Sequence, residues 1–116
     1  MSKWNYFTES EVMGLDTEFV AKLDKARHEA GVPFIITSGK RTPADNERVL
    51  GVEGSSHVKG LGVDVRCHDS HTRFKIIKGL ILAEFVRFGI YDKHIHIDFD
   101  QGEDKPQEVA WLGKSS

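Results

Sequence analysis

Apolar residues recur along this chain with two different periods, and the periods divide it into helices and strands. Phe19, Val20, Leu23, Ala26 and Ala30 fall on one face of a 3.6-residue repeat. Asp16 stands before them as an N-cap, and Gly31 with Pro33 stops the run, so the pattern predicts a helix over 16–30. The apolar run 34–37 has the length of a short buried strand, and 38–41 reads as a turn. Thr42 and Pro43 look like an N-cap followed by proline at the first helical position, opening a short helix to about Leu50. Residues 51–60 are rich in glycine and serine, hence loop.

From 62 to 67 the pattern alternates, with Val63, Val65 and Cys67 on one face and Asp64 and Arg66 on the other. A second helix is predicted from Ser70 or His71 to Phe88. Phe74, Ile77, Ile81 and Phe85 would form its buried stripe and Gly89 its C-cap. Residues 90–91 and 94–99 read as strands around a tight turn at Asp92 and Lys93. Residues 102–106 are a loop, and 109–112 are an edge strand or a packed tail. Helices and strands mix without strict alternation. The expected fold is α+β: a small antiparallel sheet carrying the candidate site, packed against two main helices.

Composition narrows this picture without redirecting it. The 116 residues suit one domain, 1–116, with one modest core. With 39% hydrophobic and 29% charged residues the mixture is globular rather than disordered. A net charge of −2 supplies no basic stripe for nucleic acid, and no apolar run approaches bilayer length. Residues 1–6 lack the apolar segment of a signal peptide. Cys67 is the only cysteine, so no disulfide forms within the chain, which fits a reducing cytosol. The expectation is a monomer made in the cytoplasm without a signal peptide, meeting any external substrate after release.

Two segments carry the candidate chemistry. Residues 55–64 read S-S-H-V-K-G-L-G-V-D, and residues 92–98 read D-K-H-I-H-I-D. Asp64 lies on a predicted strand and His57 on the loop leading into it, where glycines free the backbone to bring the two together. His94 and His96 share one face of a strand, because side-chain direction repeats every two residues. If that strand lies beside the Asp64 strand, three or four ligand-type groups meet on one sheet face. Zinc needs only three, leaving a position for water.

The pattern Ser55-x-His57-x-x-Gly60-x-Gly62-x-Asp64 resembles the S-x-H-x-x-G-x-A-x-D signature of the zinc D-alanyl-D-alanine peptidases. That group shares a superfamily with lysostaphin-type enzymes and the hedgehog signalling domain. His94-x-His96 resembles its downstream H-x-H, and Ser38-Gly39-Lys40-Arg41-Thr42 resembles the S-G-[YF]-R-[ST] turn before the signature. The resemblance runs from Phe34 to Asp98. It implies cleavage of peptide bonds next to D-amino acids in bacterial cell-wall peptides, by a carboxypeptidase, a dipeptidase or a phage L-alanyl-D-glutamate endolysin.

By the same resemblance His57, Asp64 and His96 would bind zinc, with His94 beside the metal. Arg41 would hold the substrate carbonyl or carboxylate and stabilise the oxyanion, a task suited to a guanidinium fork. Related enzymes carry an acidic general base, often three residues before the last ligand; that position here is Lys93. Asp92 is the nearest acid and becomes the expected base, with His94 as the other candidate. Gly62 stands where alanine is usual. The implied function is a zinc-dependent peptidase acting on peptidoglycan stem peptides, encoded by a phage or prophage. The competing readings are a zinc-containing binding module without activity and a wall-cutting component of a virion.

The remaining residues receive plainer expectations. His28, His68 and His71 belong on the surface, and Cys67 in the core, facing away from Asp64. Asp98 is expected to orient a histidine, and Trp4 and Trp111 to fill the core or cover an edge. For Arg41 the plain reading is a turn cation paired with Asp45 or Glu47.

Overall fold

The computed structural model describes residues 3–44 and 55–114. Among the described residues two full helices, α1 (Thr17–Ala30) and α2 (Ser70–Leu82), pack on a sheet of five strands. The strands are β1 (Ile36–Ser38), β2 (Gly62–Arg66), β3 (Arg87–Ile90), β4 (His94–Asp98) and β5 (Val109–Leu112). Their order across the sheet is β1-β2-β4-β3-β5. The α+β architecture with two helices is as expected. The sheet is mixed rather than purely antiparallel, because β5 joins β3 in parallel while the other neighbours run antiparallel. Among the described residues no helix is long and apolar enough to cross a membrane.

The first helix forms where its caps place it. Asp16 accepts a hydrogen bond from the Phe19 amide at 3.0 Å, satisfying one of the free N–H groups of the first turn. Gly31, at φ 72°, ends the helix in the left-handed region. Phe19, Leu23 and Ala26 are fully buried against the inner face of the sheet, where Val63, Val65, Ile95 and Ile97 point. Strand alternation therefore sends Asp64, His94, His96 and Asp98 to the opposite face. Cys67 is buried with the valines, as its place in the alternation requires. Pro43 and Ala44 are helical; the rest of the helix expected to Leu50 lies outside the described residues.

The second helix departs from expectation in length and in rotation. It ends at Leu82 rather than Phe88, and Arg87–Ile90 is a strand. Gly89 is thus a mid-strand residue, not a cap. The stop is made by Glu84, at φ 64°. The Glu84 amide donates to Ile81 O at 3.0 Å and the Phe85 amide to Leu80 O at 2.9 Å, a Schellman pair with Phe85 tucked into the core. Glutamate at the left-handed position gives none of the usual glycine signal.

The rotation follows from close approach. A methyl group added to Gly79 would collide with the α1 backbone at Ala26 and Ala30. The helices cross with Gly79 at the contact, which buries Ile76 and Leu80 completely. Phe74 and Ile81, expected in the core, are consequently 66% and 57% exposed.

Candidate metal centre

The site is assembled from the two segments that carry the sequence signatures. β2 and β4 pair in a register that sets Asp64 directly opposite His96, so their side chains stand together on the outer face. His57 arrives on the loop before β2. That loop is pinned at several points. The Arg41 amide donates to His57 O at 3.0 Å, Leu61 to Ser56 O at 2.9 Å, and Asp16 to Gly60 O at 2.9 Å. Gly60 has φ 74°, and a side chain there would meet Gly14 O at 2.8 Å, so glycine is required by backbone and by space. At Gly62 an added methyl would collide with Ser56 Oγ, which gives a local reason for glycine at this position of the signature.

His57 is 3% exposed. Its Nδ1 lies 2.9 Å from Gly39 O and its Nε2 lies 3.2 Å from Asp64 Oδ1. His96 mirrors this arrangement, with Nδ1 3.0 Å from the same Asp64 Oδ1 and Nε2 2.8 Å from Asp98 Oδ2. One ligand atom from each of His57, Asp64 and His96 lies within 4.8 Å of the other two. Burial pushes the Asp64 carboxyl upward, but the hydrogen bonds and charge of both histidines outweigh it and hold the group well below the usual carboxylate range. For His96 burial disfavours the charged ring, yet Asp64 and Asp98 together raise its pKa. Asp98 is likewise pushed up by burial and brought down further by His96 and Arg87.

The donor set decides what the cluster can hold. Gly39 O and the Asp98 carboxylate only accept, so His57 Nδ1 and His96 Nε2 must carry the protons that face them. The inner nitrogens then turn lone pairs toward a carboxylate oxygen. Three converging lone-pair groups repel one another unless a cation sits between them: extra protons on the rings, or a metal ion. Two imidazoles and a carboxylate, each imidazole oriented by an outer acceptor, suit a divalent metal such as zinc with a position left for water.

Other side chains surround this cluster. Arg41 Nη2 is 3.6 Å from Asp64 Oδ2, and Arg41 Nε donates to Ser38 Oγ at 3.2 Å. Asp45 and Glu47, the partners of its plainer reading, lie outside the described residues. Asp98 does orient a histidine, and it is itself held by Arg87, whose Nε donates to Oδ1 at 2.7 Å and Nη2 to Oδ2 at 3.3 Å. His94 stacks on Tyr91, with ring centroids 4.4 Å apart. Asp92 is exposed on the turn between β3 and β4, and His28, His68 and His71 are on the surface.

A family model for peptidase M15 matches residues 4–98, most of the 116-residue chain. The chain belongs to the peptidase M15 family. Membership implies a metallopeptidase with a peptide substrate, and the M15 match contains all three members of the His57–Asp64–His96 cluster. No curated protein and no solved structure matches the chain. The M15 match ends at Asp98, the last residue of β4, so β5 lies beyond it.

Two features of the site escaped the sequence. Arg87 was hidden inside a helix expected to continue to Phe88. Trp111, expected in the core or covering an edge, does lie on the edge strand β5, but nothing in the sequence placed its ring 5.8 Å from that of His96. Neither has a local motif; both depend on the pairing of β3 with its neighbours.

Proposed function

We propose that this protein is a zinc-dependent peptidase that cleaves peptide bonds in peptidoglycan stem peptides. The observation that carries this reading is the convergence of His57 Nε2 and His96 Nδ1 on Asp64 Oδ1, with each outer ring nitrogen held by an acceptor. His57, Asp64 and His96 hold the metal in this scheme. Bound there, zinc supplies a Lewis acid for the scissile carbonyl and brings the pKa of a coordinated water toward about 7.

The chain's own groups do the rest. Arg41, beside Asp64, directs its guanidinium at the substrate carbonyl oxygen and stabilises the negative charge that develops on it. The Asp92 carboxylate takes a proton from the attacking water and delivers it to the leaving amine. His94, on the same face as His96, is the other group for that transfer. The choice among carboxypeptidase, dipeptidase and L-alanyl-D-glutamate endopeptidase, and a phage or prophage origin, are parts of the same proposal.

The test is mass spectrometry of purified peptidoglycan after incubation with the protein, with and without a chelator. New fragments that disappear with the chelator are expected, and their masses name the bond. Intact peptidoglycan after exposure to metal-loaded protein would overturn the reading in favour of a zinc-holding binding module.

A further inference from the structure

Strand register lines up one residue from each strand in a single row across the sheet. Ser38 on β1 pairs with Asp64 on β2, Asp64 with His96 on β4, His96 with Gly89 on β3, and Gly89 with Trp111 on β5. Side chains opposite one another in adjacent strands share a face. At about 4.8 Å per strand the row spans about 19 Å, with the metal cluster between its ends. Gly89 is the gap that makes the far end useful. An added methyl there would collide with the indole of Trp111 at Nε1, so only glycine lets that indole lie over β3 toward His96.

The two ends of the row differ in chemistry. On the β1 side stands Arg41, a cation within 3.6 Å of Asp64. On the β5 side the indole N–H and the Arg87 guanidinium already have partners. Trp111 Nε1 donates to the Tyr91 hydroxyl at 3.3 Å. Arg87 lies 5.1 Å from the Trp111 ring, but its fork is taken by Asp98 and by Pro106 O. The Tyr91 ring is stacked on His94, with centroids 4.4 Å apart, and packs against Gly113, so the half-buried indole of Trp111 is what offers hydrocarbon surface beside the cluster.

We propose that Trp111, held in place by the Tyr91 hydroxyl, forms a substrate subsite on the β5 side of the candidate metal centre, which receives an uncharged aliphatic side chain of the peptide. The carbonyl or carboxylate end of the substrate then points toward Arg41. This inference rests on the peptidase reading and adds the substrate's orientation and the chemical class of one residue. β5 lies past the end of the family match.

The chain has two tryptophans, so Trp4→Phe leaves Trp111 as the only indole reporter. The zinc-loaded Trp4→Phe protein is titrated with the pentapeptide L-Ala-D-Glu-L-Lys-D-Ala-D-Ala and with the same peptide carrying aspartate in place of each alanine. A saturable change in Trp111 emission is expected with the first, and binding about tenfold weaker or more with the second. Trp111→Ala is expected to raise KM for the alanine peptide by about tenfold, an aromatic contact's worth, with kcat less affected and zinc content unchanged. Trp111→Phe should recover most of the loss. Chelator-sensitive digestion of peptidoglycan combined with unaltered KM in Trp111→Ala and a silent Trp111 would overturn the subsite and leave the peptidase reading standing. Equal binding of the two peptides would also overturn it. A zinc-loaded protein that neither cuts peptidoglycan nor binds either peptide removes both.

Discussion

Arg87 and Asp98 form a forked ion pair behind the His57–Asp64–His96 cluster, with Nε to Oδ1 at 2.7 Å and both side chains almost fully buried. The pair joins β3 to β4, and Asp98 passes the connection to His96 Nε2 at 2.8 Å. Arg87 thus supports the candidate site through Asp98 rather than through His57, Asp64 or His96 themselves.

Removing one partner strands a buried charge. Arg87→Leu should destabilise the fold by about 3–5 kcal/mol, read from urea denaturation of the metal-free protein. Asp98→Asn should leave His96 poorly oriented and weaken metal binding by roughly 10–100-fold, measured by competition with a chromophoric chelator. Retention of full metal affinity in Asp98→Asn would show that His96 is oriented by something else.

Metal retention and turnover should separate between the cluster and its neighbours. His57→Ala and His96→Ala are expected to lose bound zinc, counted by elemental mass spectrometry, together with peptide cleavage. Asp92→Asn is expected to keep zinc and lose turnover. Unchanged turnover in that variant would transfer the proton step to His94.

The raised pKa of His96 and the depressed pKa of Asp64 set opposite pH limits on the metal-free protein. His96 contributes stability that is fully present below its unfolded value near 6.5 and is lost as pH rises through the higher folded value. Asp64 contributes stability present above its unfolded value of 3.8 and lost as pH falls through the lower folded value. Metal binding requires His96 to release its proton, so apparent zinc affinity should rise with pH until the ring is neutral. Thermal unfolding with and without zinc should show a larger zinc-induced shift at about pH 8 than at about pH 6. A shift independent of pH would mean that His96 is already neutral in the metal-free protein.

The rotation of α2 is open to a direct comparison. Leu80→Ala should cost about 2–5 kcal/mol, as for a buried leucine. Phe74→Ala, on the exposed side, should change stability by no more than about 0.5 kcal/mol. A large loss from Phe74→Ala, seen in thermal or urea denaturation, would mean that this face is covered.

What the sequence determined by itself is local. The N-cap Asp16, the C-cap Gly31 and the apolar stripe between them fix α1, because capping and periodicity act within a few residues. Alternation places Asp64 opposite the valines of β2 and His94 with His96 on one face of β4, because the strand period is two. The H-x-H pair marked one side of the cluster for the same reason, whereas His57, on a glycine-bearing loop, was marked by the resemblance of residues 55–64 to a known signature. What the tertiary structure decided is everything that depends on another element. Two apolar stripes on α2 competed for the core, and the approach of α1 over Gly79 chose Ile76 and Leu80. Glu84, in a left-handed position that glycine usually fills, ended the helix through the Schellman pair and so released Arg87 and Gly89 into a strand. The parallel pairing of β5 with that strand then set Trp111 beside His96, a contact between residues distant in the chain. Such contacts follow from packing and register rather than local pattern.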